Sequence, residues 1–139
     1  EIGMRAALLL VGVASASLMP MPQSTTIGSS QPGICPTFDF TYSGPGTVPQ
    51  VLSSAFQRYR TMLGIPSAIK SPGCSSTGKV LVTGDSSQPL DAHMDESYDL
   101  DISASGEVTI TSSSQWGALR ALSTWSQLVH NNSMGGLQL

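Results

Sequence analysis

From position 98 the chain alternates between apolar and polar residues. Tyr98, Leu100 and Ile102 are separated by Asp99 and Asp101, with Ser97 and Ser103 outside them. After the turn-forming Ala104-Ser105-Gly106, Val108 and Ile110 resume the alternation. A period of two sends successive side chains to opposite faces of a strand. Residues 96–103 and 106–111 are therefore predicted to form a hairpin with one dry and one wet face. A hairpin alone is marginal in water, so its dry face needs a cover. SQWGALRALSTWSQLV, residues 114–129, reads as that cover. Ala118, Leu122, Trp125 and Val129 fall on one helical stripe, with Trp116, Leu119 and Leu128 on its flanks. Ser113 or Ser114 can cap the first N–H groups. One stripe can pack on the hairpin, and an apolar flank left wet would mark a partner surface.

Upstream, VPQVLSSAFQRYRTML, residues 48–63, carries apolar residues at Val51, Leu52, Ala55, Phe56, Tyr59, Met62 and Leu63. Steps of three and four predict a second helix. Pro49 suits its first turn, and Gly64 followed by Pro66 stops it. Phe38, Phe40 and Tyr42 alternate with Asp39 and Thr41, which predicts a strand. KVLVTG, residues 79–84, predicts a short buried one. The prolines of LMPMPQ, residues 18–23, hold that segment extended. The order strand, helix, strand, hairpin, helix implies an α+β fold, an antiparallel or mixed sheet with two helices on one face.

Composition narrows the function classes. The chain has 139 residues, enough for one domain, and 40% of them are hydrophobic. Six Lys and Arg are spread along a chain of net charge −3, so no nucleic-acid partner is expected. Arg5, the apolar run 6–14 and the small residues Ala14-Ser15-Ala16 read as a signal peptide over 1–17, with Met4 as its start and residues 1–3 as upstream translation. That run is shorter than the roughly 20 residues a membrane span needs, so no membrane partner is expected. The secretory route implies a secreted or a lysosomal or vacuolar protein. In that compartment Cys35 and Cys74 are expected to form a disulfide, the alternative being two buried thiols. Asn131-Asn132-Ser133 is an N-glycosylation sequon, making Asn131 the candidate acceptor.

Three blocks resemble a known family. Glu96-Ser97-Tyr98, then Trp116-Gly117-Ala118-Leu119-Arg120, then Ser126-Gln127-Leu128-Val129 closely resemble the N-terminal domain of β-N-acetylhexosaminidases. LMPMPQ resembles that family's Trp-Pro-Xaa-Pro lead-in, with Met19 where Trp is usual. AFQRYR, residues 55–60, resembles its first helix, and Cys35 and Cys74 sit where animal members have a disulfide. The resemblance covers nearly all of 18–139. It implies an accessory domain with a zincin-like fold, preceding a TIM barrel that removes terminal N-acetylhexosamines from glycoconjugates or chitin oligomers. In that barrel an adjacent Asp-Glu pair works, and the substrate's own acetamido oxygen is the nucleophile. A barrel needs roughly 200 residues or more, and these 139 contain none.

The resemblance also disposes of a decoy. His93-Met94-Asp95-Glu96 looks like a compressed copy of the family's catalytic motif, yet it lacks the paired glycines and Glu96 already belongs to the Glu-Ser-Tyr match. No catalytic residue is assigned, and the chain alone is expected to be inactive. Asp91, His93 and Asp95 could cluster, but loop charges usually only meet water, so no metal or cofactor is expected. The expected partner is the catalytic barrel of the same enzyme, with homodimerisation of the parent enzyme a further possibility. Trp116, Leu119 and Trp125 are the candidates for the contact with the barrel. A free-standing secreted module that binds a glycan or a protein is the rival reading, with its tryptophans as exposed platforms.

Overall fold

The computed structural model describes residues 18–19, 21–26, 28–131 and 136–139. The expected signal over 1–17, and Asn132 and Ser133 of the sequon, lie outside the described residues. The described chain forms strand β1 (Gly33–Ser43), helix α1 (Gln50–Met62), a single 3-10 turn (Ile65–Ser67), strands β2 (Ser75–Val82), β3 (Tyr98–Ile102) and β4 (Val108–Ser112), helix α2 (Gln115–Leu128), and two-residue strands β5 (His130–Asn131) and β6 (Leu137–Gln138). The sheet order is β3-β4-β2-β1-β6-β5. It is mixed: β1 with β2 and β2 with β4 are parallel, while β3 with β4 is antiparallel.

The predicted hairpin pairs Leu100 with Ile110 and Ile102 with Val108. Its inward residues join Phe38, Phe40, Val80 and Val82 in one buried layer. Outward positions such as Asp39, Thr41, Lys79, Asp99 and Asp101 are exposed. Lys79 and Glu107 form an ion pair of 3.0 Å with both side chains in solvent. Both helices cover the inner face, because the Phe40 ring meets Phe56 of α1 at 5.5 Å and Trp125 of α2 at 4.8 Å.

Two local rules set the helix limits. Pro49 is the N-cap of α1, its φ of −57° already suited to the turn that follows. Ser114, one of the two serines expected to cap α2, does so by accepting from the Gly117 N–H at 3.1 Å. Gly117 has its own reason. A Cβ there would collide with the Ser97 carbonyl and crowd Ser112 at 3.0 Å. The helix can therefore approach the start of β3 only through glycine.

Some elements differ from the sequence expectation. β2 starts at Ser75, four residues before Lys79, since it pairs with β1 from Ile34 onward. Between Ile34 and Asp39 the register shifts, and this irregularity begins at the Cys35–Cys74 disulfide, which ties the heads of the two strands across a Cα separation of 5.1 Å. β6 adds a short antiparallel pairing at Gly33 and Ile34, and the Leu139 N–H donates to the Pro32 carbonyl at 3.0 Å.

Candidate functional site

The outward side of α2 carries Trp116, Leu119, Arg120, Ser123 and Gln127, none of them fully buried. Their spacing of three and four puts them in one row along the helix. Each end of that row is fastened to an irregular segment. At the N-terminal end, the Gln88 carbonyl accepts from Trp116 Nε1 at 2.8 Å and from Gln115 Nε2 at 3.0 Å. This holds the loop between β2 and β3 against the first turn of α2 and leaves Leu90 exposed beside it. At the C-terminal end, the Gln127 carboxamide binds the backbone of Met19. In the middle, Arg120 Nε donates to Glu96 Oε1 at 2.8 Å.

Trp125 does not belong to this row. It is 0% exposed, stacked on Phe38 at 5.4 Å and edge-on to Phe40 at 4.8 Å. Nine residues beyond Trp116, at 3.6 residues per turn, Trp125 points to the opposite side of the helix, toward the sheet, so this aromatic expected as a contact with a partner is the centre of the core. Phe38 and Phe40 are the residues that claim it. The helical period already sets Trp125 on the stripe and Trp116 on a flank, and the structure keeps that division. Trp116 and Leu119 remain half-buried at the surface.

The decoy carboxylates have structural partners. Asp95 accepts from the Ser97 N–H at 2.9 Å and from the Ser113 hydroxyl, while its backbone carbonyl accepts from Ser114 Oγ. The Ser113 hydroxyl, then the Ser97 bonds, hold the Asp95 carboxyl below its ordinary value of 3.8. Ser87 does the same for the exposed Asp85, by its hydroxyl first and its N–H second. His93 lies on the surface with its N–H donated to Asp91 Oδ1 at 2.7 Å. Among the described residues no three His, Cys, Asp or Glu side chains are grouped to hold a metal ion. No helix among them is long and apolar enough to cross a membrane. A hollow of about 300 Å³ lies between residues 28–32, Ile102–Ala104 and Leu139, and one of about 180 Å³ between Thr83, Ser97, Asp99, Thr111 and Ser113; neither is lined by His or Cys. Asn131, on β5, is exposed.

The candidate site is thus an aromatic and apolar row with one guanidinium and one carboxamide, on the helical side of a two-layer α+β unit. The profile of the family described as β-acetyl hexosaminidase-like matches residues 18–128, and the chain belongs to that family. Among solved structures it is similar to the chitobiase of Flavobacterium johnsoniae, with 22% identity and a TM-score of 0.64 over 88% of this chain, a likeness of fold. The chain spans about a fifth of the length of that chitobiase, 19%. Among curated protein sequences none matches significantly.

Proposed function

We propose that this chain is the N-terminal accessory domain of a β-N-acetylhexosaminidase of the secretory pathway, and that its role is to pack on and stabilise a TIM-barrel catalytic domain. The parent activity would be removal of terminal N-acetylhexosamines from glycoconjugates or chitin oligomers. The domain itself supplies no reacting group. The observation that carries the reading is the contrast between the two layers. The sheet's outer face is polar and solvated, whereas the outward side of α2 presents Trp116 and Leu119 between two fastened segments. Surfaces that join domains combine apolar anchors with hydrogen-bonding rims in this way. The family match supports the identity of the partner.

The test uses the protein expressed from its full reading frame, assayed for nitrophenol release from an aryl N-acetylglucosaminide. The expected result is activity in the whole protein and none in the 139-residue chain. Because Leu119 also packs against the core, Leu119→Asp should lower the unfolding midpoint of the isolated chain somewhat, and the midpoint of inactivation of the whole enzyme by several degrees more. Equal effects on both would sink the docking role. A saturable tryptophan response of the isolated chain to chitobiose would instead favour a glycan-binding module.

A further inference from the structure

Met19 lies beside the end of α2, and Gln127 binds its backbone as a neighbouring strand would. Its Oε1 accepts the Met19 N–H at 2.8 Å, and its Nε2 donates to the Met19 carbonyl at 2.7 Å and to the Ser123 carbonyl at 3.0 Å. The amide's oxygen and both its N–H groups are thereby used. Leu18 packs against the core, while Met19 and Met21 are 69% and 82% exposed. Immobilising the Met19 backbone and a long side chain at an exposed site costs conformational entropy and returns little in water. What the clamp achieves is a fixed display of two methionines next to the outward row of α2. Methionine is unbranched and polarisable, a side chain that adapts to an irregular apolar partner.

The exposed apolar side chains are also unevenly placed. Met19, bonded to Gln127, and Met21 two residues on lie toward the C-terminal end of the α2 row, and Leu90 lies in the loop held at its N-terminal end; Val48, Met62 and Ile69 lie on or near α1 in sequence, and the outer face of the sheet has Leu81 alone among the described residues. We infer that Met19 and Met21 are the second half of the docking surface, that Gln127 is the residue that positions them through the Met19 backbone, and that the occupant is the catalytic barrel of the same enzyme. This rests on the docking role proposed above. The barrel is the occupant because the similar chitobiase carries about four fifths of its chain outside the matched unit, and because the strap continues the face assigned to that contact.

Methionine oxidation by dilute peroxide, read by mass spectrometry, tests the inference with an internal reference. Met62 on α1 is 62% exposed, takes no part in the clamp, and serves as the control. In the 139-residue chain Met19, Met21 and Met62 should oxidise at similar rates. In the protein expressed from its full reading frame, Met19 and Met21 should slow at least tenfold relative to Met62. Gln127→Ala should restore fast oxidation of both, while Trp116 stays protected from hydroxyl-radical footprinting. If Met19 and Met21 keep pace with Met62 while Trp116 is protected, the strap is no part of the interface and only this inference falls. If Trp116 is unprotected as well, or the frame encodes no barrel, the docking role falls with it.

Discussion

Arg120 reaches across 2.8 Å from the middle of α2 to Glu96, the residue two places before β3 begins. Two of the blocks that carry the family resemblance are therefore joined by one ion pair. Its side chains are 51% and 34% exposed, so water screens it. Exposed pairs of this kind contribute about 0.2–1 kcal/mol. Arg120→Ala and Glu96→Gln should each cost less than about 1 kcal/mol in urea unfolding, with a double-mutant coupling in the range above. The whole enzyme should retain its turnover in Glu96→Gln. A loss of turnover by orders of magnitude would return Glu96 to the catalytic candidates.

Trp125 and Trp116 should behave as opposites. Trp125→Ala opens a hole between Phe38, Phe40 and α2, and large aromatic truncations in a core cost about 3–5 kcal/mol. The variant should unfold at room temperature or show a sharply lower urea midpoint. Trp116→Ala should cost the isolated chain far less, because its ring is half-buried and its Nε1 bond goes to a loop carbonyl.

Gly117→Ala is the most informative small change. Elsewhere in an exposed helix it would stabilise by removing glycine's flexibility. Here the added methyl meets the Ser97 carbonyl, a backbone atom that cannot swing aside. The expected outcome is destabilisation of about 1–3 kcal/mol, the range for overpacking. A rise in thermal midpoint would mean that α2 does not approach β3 this closely.

Cys35 and Cys74 close a loop with a sequence separation of 39. Replacing both with Ser should cost about 3–4 kcal/mol on the chain-entropy account. The loss should appear equally when dithiothreitol reduces the native protein, as measured by urea midpoint.

Asp95 sets an acid limit. Its folded carboxyl is held below 3.8 by Ser113 and Ser97, so the unfolded chain binds the proton more readily. The stability it contributes is full above that value and is lost as pH falls through its lower folded value. Urea midpoints should therefore drop below about pH 4, and Asp95→Asn should flatten part of that drop. An unchanged acid limb in Asp95→Asn would remove this role.

How far the chain disclosed its own structure can be argued element by element. The hairpin and α2 were legible, because Tyr98, Leu100, Ile102, Val108 and Ile110 keep a strict period that survives folding. The start of β2 was not, since Ser75, Ser76 and Thr77 lack an apolar alternation and owe their pairing to β1. β5 and β6 are two-residue strands defined by neighbours rather than by local pattern. The contact face was half legible. Trp116 and Leu119 sit at the surface, but the choice of Trp125 for the core depends on Phe38 and Phe40 far up the chain. Gln127 stood in a block that resembles the family, but its bond to Met19 was not legible, since an exposed polar residue late in a helix reads as solvated.

The ring stack of Phe38 on Trp125 joins positions almost ninety residues apart. Nascent chain emerging from the ribosome would carry both phenylalanines long before anything arrives to roof them. Most of the synthesis of this unit thus passes with a sticky, half-built interior, and a chain released before α2 is complete should be degraded or aggregate rather than function.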